Sequence, residues 1–173
     1  MRELLNTWLI RNDTRRPADD YGTFARERGW PAADAALVRR LRDDLRGVVE
    51  GDTDPGLLND WIGRLGLRPE VVGGGVGYRH DGGPAGDLLA RVVAAVADGT
   101  WRRLKACPDC RWVFYDHTRN GSKRWCLMYA GGPQGRACGT IAKVRRYRDR
   151  QAQAGAGTAA PAPPPAEGGP RAR

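Results

Sequence analysis

Cys107, Cys110, Cys126 and Cys138 are the only cysteines in the chain, and the first hundred residues hold none. Four thiols gathered into one short stretch can form a metal site, a redox pair or disulfides, or stay buried and unbound. No apolar run approaches the roughly 18 residues of a membrane span, and Met1-Arg2-Glu3-Leu4-Leu5 lacks the pattern of a secretory leader. The expected compartment is therefore the cytoplasm, which keeps thiols reduced and disfavours disulfides. Cys107-Pro108-Asp109-Cys110 is a C-x2-C turn that points two sulfurs at one ion, with Cys126 and Cys138 available to complete the set. Four thiolates at about 2.3 Å in a tetrahedron make a closed structural Zn2+ site.

Two alternatives stand beside zinc. A redox C-x-x-C expects its cysteines at the start of a helix within a βαβ unit, but a strand is predicted here over Arg111 to Tyr115. Buried thiols without metal are the other. The interval before Cys138, eleven residues, is longer than zinc pairs usually show, so His117 is kept as a substitute fourth ligand.

Charge divides along the same line. Residues 1–100 hold 14 Arg against 16 Asp and Glu, a net of −2, whereas residues 101–150 hold 13 Lys and Arg against 3 acids, a net of +10. A basic block attached to a nearly neutral domain is the footprint of a module that binds polyanions. Arg outnumbers Lys throughout, so part of the excess reflects general Arg usage.

Apolar periodicity supplies the rest of the architecture. Leu4, Leu5 and Trp8 fall at helical spacing, and Tyr21–Arg28 precedes a Gly29 stop, so two short helices are expected first. Leu37, Val38, Leu41, Leu45, Val48 and Val49 predict a long helix over 32–50. Another begins at Asp54-Pro55 and ends at Gly66, and a further one runs from Pro84 to Gly99. Between them, residues 67–80 read as a hairpin around Gly73-Gly74-Gly75. That glycine run lacks the Lys-Ser/Thr and following helix of a phosphate loop. His80-Asp81 lacks a companion nucleophile and reads as a polar strand end. Trp8, Trp30 and Trp61 are expected in the core. Residues 151–173, rich in Ala, Pro and Gly without bulky apolar groups, are expected to be a disordered tail.

Seven of the thirteen aromatics also lie in the basic block: Trp101, Trp112, Phe114, Tyr115, Trp125, Tyr129 and Tyr147. Most would build a minimal core around the metal, and any left exposed could stack on bases. After Cys138, Ile141, Val144 and Arg148 mark one helical face, while Lys143, Arg146, Tyr147 and Arg150 mark another. Knuckle, hairpin, then helix is a treble-clef-like order. The predicted fold is thus mainly α with a small β-hairpin plus a C-terminal treble-clef-like zinc finger, divided as 1–100, 101–150 and the tail.

Cys107-Pro108-Asp109-Cys110, Trp112-Val113-Phe114-Tyr115-Asp116, Thr118-Arg119-Asn120, Ser122, Arg124-Trp125-Cys126 and Met128 resemble the CGNR zinc-finger family nearly position for position. Asn6-Thr7, the long helix from Ala32 and the helix before Trp101 resemble the ABATE domain that precedes this finger in the family. Gly-Asn-Arg follows the family's fourth cysteine. Here residues 131–137 read as an insertion, and Cys138-Gly139 is followed by Thr140-Ile141. The resemblance implies a zinc-dependent transcriptional regulator, with Zn2+ on the four cysteines.

Taken with the charge, it makes Arg119, Lys123, Arg124, Lys143, Arg145, Arg146 and Arg150 the candidate contacts to DNA, and leaves residues 1–100 to sense a small molecule or form homo-oligomers. The alternatives are a zinc-stabilised module that docks an acidic protein, or RNA binding. Enzymatic activity is not expected, because four thiolates leave a zinc ion no open position.

Overall fold

The computed structural model describes residues 1–126 and 137–156. In chain order it contains α1 (Arg2–Leu5), β1 (Trp8–Ile10), β2 (Pro17–Asp19), α2 (Tyr21–Glu27), α3 (Ala32–Glu50), α4 (Leu57–Arg64), β3 (Arg68–Val72) and β4 (Gly75–Arg79). There follow α5 (Gly83–Ala97), a 3-10 turn over Trp101–Arg103, β5 (Leu104–Ala106), β6 (Val113–Tyr115) and α6 (Cys138–Ala156). The strands form three separate antiparallel pairs, β1 with β2, β3 with β4 and β5 with β6. No described helix is long and apolar enough to cross a membrane.

The long periodic helix is the spine. Val38, Leu41 and Leu45 of α3 are fully buried, and around them pack Leu4 and Leu5 of α1, Leu58 and Trp61 of α4, and Leu89 and Val92 of α5. Each fully buried Leu contributes about 1.5–3 kcal/mol of apolar transfer. Val113 of β6 joins the same cluster, so the cysteine-rich hairpin shares the helical core.

Several elements depart from the sequence expectation. Trp8 lies in a strand: α1 ends at Leu5, and the β-favouring run Trp8-Leu9-Ile10 pairs with Pro17–Asp19. Its ring is half-buried beneath the Arg46 guanidinium, 4.7 Å from the centroid, and lies outside the apolar core, whereas Trp61 is buried within it and Trp30 packs against its edge. α4 begins at Leu57 because Asp54 accepts a hydrogen bond from the Gly56 amide (2.6 Å) and shapes a turn first. α6 continues to Ala156, carried by the helix-compatible Gln151-Ala152-Gln153, past the expected start of the tail. Residues 157–173, Met128, Tyr129 and most of the 131–137 insertion lie outside the described residues.

The hairpin over 67–80 is present. Val71 faces Val76 across it, and Gly73 and Gly74 take φ of 57° and 82°, the two left-handed positions of a type I′ turn. His80 Nε2 lies 3.2 Å from Asp87 Oδ1 at the start of α5.

Candidate metal centre

β5 and β6 carry the first two ligands. With Ala106 opposite Val113, residues 107–112 form the connection between the strands. The Cys107 amide donates to the Trp112 carbonyl (2.9 Å), and the Arg111 amide to the Cys107 carbonyl (2.8 Å), with Arg111 at a φ of 60°. The knuckle therefore sits inside the hairpin, whereas the sequence order placed it ahead of one.

Asp116 organises the loop leading to the third cysteine. One of its oxygens accepts from the Thr118 amide (2.9 Å) and hydroxyl (2.6 Å), the other from Lys105 Nζ (2.8 Å) and the Lys123 amide (3.0 Å). Burial alone would push its carboxyl up, but Lys105 and these donors hold it well below the usual carboxylate range. Lys105 also donates to the carbonyls of Gly121 and Lys123, and Arg103 to those of Thr118 (2.6 Å) and Arg119 (3.2 Å). Two cations of the basic block are thus spent on shaping this loop, which delivers Cys126.

Cys138 opens α6, at the end of the helix where the dipole favours negative charge. The Trp125 ring lies against Gly139, where a Cβ would come within 3.2 Å of ring carbons. A side chain at 139 would press on this ring, so glycine favours the close approach of the third-ligand loop to the fourth-ligand helix.

All four sulfurs are buried and lie within 4.8 Å of one another. Cys110 and Cys126 are 3.4 Å apart, and Cys126 and Cys138 3.7 Å. A disulfide needs about 2.05 Å, whereas four thiolates about 2.3 Å from one ion sit roughly 3.8 Å apart. Hydrogen bonds from Cys110 and Cys126 pull the Cys107 thiol down, the bond to Cys107 pushes Cys110 up, and burial pushes Cys138 up to about 12. Packed this closely, the sulfurs tolerate little negative charge beyond the first, and a divalent cation supplies what holds four thiolates together. His117 is exposed, tilted against Tyr115 with 4.7 Å between ring centroids, and takes no part in the cluster, whose fourth member is Cys138.

Residues 103–151 match the CGNR zinc finger. No curated protein and no solved structure matches the chain. The identity of the metal as zinc follows from that family match and from the all-thiolate donor set.

The N-terminal segment surrounds this finger. Ile10 donates its amide to the Cys110 carbonyl (2.9 Å). Arg15 makes a fork onto the buried Asp109 carboxylate (3.0 and 3.1 Å) and reaches its carbonyl (3.2 Å). Asn6 extends β6: its side-chain oxygen accepts from the Val113 amide (2.7 Å) while its Nδ2 donates to the Val113 carbonyl (2.9 Å). The knuckle's outer side is held through Arg111, whose guanidinium pairs with Glu50 (3.1 Å) and whose carbonyl accepts from Arg46 (3.0 Å). Arg15 gave no signal in the sequence, since an isolated polar residue in an Arg-rich loop shows neither spacing nor period. Asn6 was visible only through resemblance.

The candidate polyanion contacts are distributed unevenly. Arg119, Arg124, Lys143, Arg145, Arg146 and Arg150 are exposed. Lys123 is half-buried, with its ammonium 5.3 Å from the centroid of the Phe114 ring. Arg145 lies 3.6 Å from the Asp109 carboxylate, so part of its charge is met within the molecule. Lys143, Arg146, Tyr147 and Arg150 share one face of α6 at helical spacing, and the Tyr147 ring is 58% exposed.

Proposed function

We propose that this protein is a zinc-dependent, DNA-binding transcriptional regulator in which the finger contacts the duplex and residues 1–100, ABATE-like in pattern, sense a small molecule or dimerise. The observation that carries the reading is the exposed face of Lys143, Arg146, Tyr147 and Arg150 on a helix whose first residue is a metal ligand. Such a helix is held in a fixed orientation and offers three cations and a ring to phosphates and bases. Arg119, Arg124 and Arg145 add to the same field. The metal is read as structural, because four thiolates fill a tetrahedron and leave no position for a substrate.

A sensing role has a place to reside. A cavity of about 470 Å³ lies between α5 and the β5–β6 hairpin, with an apolar lining of Val92, Ala95, Trp101, Leu104 and Tyr115. Exposed Arg2, Arg91 and His117 also line it, and no carboxylate does, which suits an organic acid with an apolar body.

The test is binding of the full-length, zinc-loaded chain to duplex and single-stranded DNA and to RNA at two salt concentrations. Duplex binding is expected, with a log–log salt slope of about −0.9 per phosphate neutralised. Absence of any nucleic-acid affinity at low salt overturns the reading and leaves a protein-docking module, while preference for RNA reassigns the same face.

A further inference from the structure

Asn12 lies in the turn between β1 and β2, in sequence 126 residues from Cys138, yet its Oδ1 is 3.5 Å from the Cys138 sulfur. Its other side-chain atom, Nδ2, is buried and has no hydrogen-bond partner. An amide carries one acceptor and two donors, and a half-turn about its terminal torsion exchanges them. The orientation seen suits a protonated thiol, whose S–H can donate to Oδ1. A metal-bound cysteine is a thiolate, which has no proton to give and can only accept.

We infer that Asn12 is a positioning residue for the metal centre: when the four cysteines hold zinc, its amide turns so that Nδ2 donates to the Cys138 thiolate. The same rotation removes the thiolate's clash with a carbonyl oxygen and gives an N–H an acceptor, while Oδ1 takes the buried place that Nδ2 held. The residue is held for this task by its neighbours on either side. Ile10 is bonded to the Cys110 carbonyl and Arg15 to Asp109, which pins the turn against the knuckle. Cys138 follows an interval of eleven residues after Cys126, and the N-terminal turn reaches it from outside the finger. The inference rests on the zinc reading of the four cysteines.

The experiment titrates full-length metal-free protein with Co2+, reading thiolate-to-metal absorption, then competes the cobalt with zinc. Partners of this kind are worth 10- to 100-fold in metal affinity. Asn12→Leu, of similar size, is expected to weaken binding by that factor and to move the absorption to longer wavelength, because a thiolate that loses an N–H donor gives up its electrons more easily. Asn12→Asp is expected to weaken it further by facing the thiolate with a carboxylate. Wild-type protein loaded with an NMR-active cadmium isotope provides a measurement that no variant's folding can spoil: the Asn12 side-chain amide protons should couple to the metal through the sulfur. Unchanged affinity and absorption in Asn12→Leu, or an Asn12 amide without coupling to cadmium, overturns the inference. If wild-type protein takes up no cobalt at all, it is the zinc reading that fails.

Discussion

Arg42 is a fully buried guanidinium, and everything it touches had to be provided. Asp19 meets it with both oxygens (2.8 and 3.1 Å), Thr7 accepts at 2.8 Å and Asp43 at 2.8 Å. The hydrogen bond to Arg42 holds the Asp19 carboxyl below its usual range. A carboxyl so lowered adds stability above its unfolded value of about 3.9, and that contribution drains away as pH falls through and below that value. Asp19→Ala should therefore destabilise by on the order of 3 kcal/mol at neutral pH, since it leaves a buried guanidinium only Asp43 and Thr7, and the gap from wild type should narrow in acid. Urea melts at pH 7 and pH 3 check both. None of this was legible in the sequence, where Arg42 looks like one more charged residue on the polar side of a periodic helix. Periodicity assigns a face, but it carries no information about a buried charge whose partners include Asp19 of β2 and Thr7 in the turn after α1. The cysteine cluster, by contrast, was legible because metal chemistry restricts the residue types, although the long interval before Cys138 left the fourth position open to His117. Its support through Asn12 and Arg15 was not legible.

At the level of elements, strong period and explicit stop residues carried the reading. The 32–50 helix lies where its leucines and valines placed it, and the hairpin lies around the glycines that its left-handed turn demands. Gly74→Ala should cost about 1–2 kcal/mol within the hairpin, by forcing a side chain into the left-handed region. Because Val71, Val72 and Val76 are exposed, the loss should appear as faster amide exchange in 68–79, with α3 protection unchanged. The β1–β2 ribbon was missed because Leu4, Leu5 and Trp8 fit a helix by spacing alone, and three-residue strands are too short to show alternation. Among the described residues the knuckle joins β5 to β6, and β5 has only Leu104, Lys105 and Ala106 to announce it in the sequence.

For the whole molecule, metal and core are one system. Val113 lies in the same apolar cluster as Leu41 and Leu45, two positions beyond a residue anchored to α3 and three beyond a zinc ligand. Structural zinc is worth on the order of 10 kcal/mol. Cys107→Ser, or stripping the metal with a chelator, should therefore lower the melting temperature of the helices together with the finger in a single calorimetric transition. A separate early transition confined to the finger would contradict this. Binding should respond in a graded way to removal of the exposed cations: Lys143→Ala with Arg146→Ala and Arg150→Ala should reduce the salt slope by roughly 0.9 for each phosphate no longer neutralised, with Tm unchanged. Arg145→Ala should reduce it less, its charge being partly met by Asp109.

The pairing of Asn6 with Val113 spans 107 residues of chain. On a ribosome adding about 5–20 residues per second, the N-terminal helix emerges roughly 5–20 s before the strand that its amide completes. Throughout that interval Leu4 and Leu5 lack their full cover, and even afterwards closure waits for a metal ion to reach the knuckle. The speed at which the newly made chain escapes proteases and chaperones should then follow the cell's free zinc supply, so that the protein's abundance reports on metal availability.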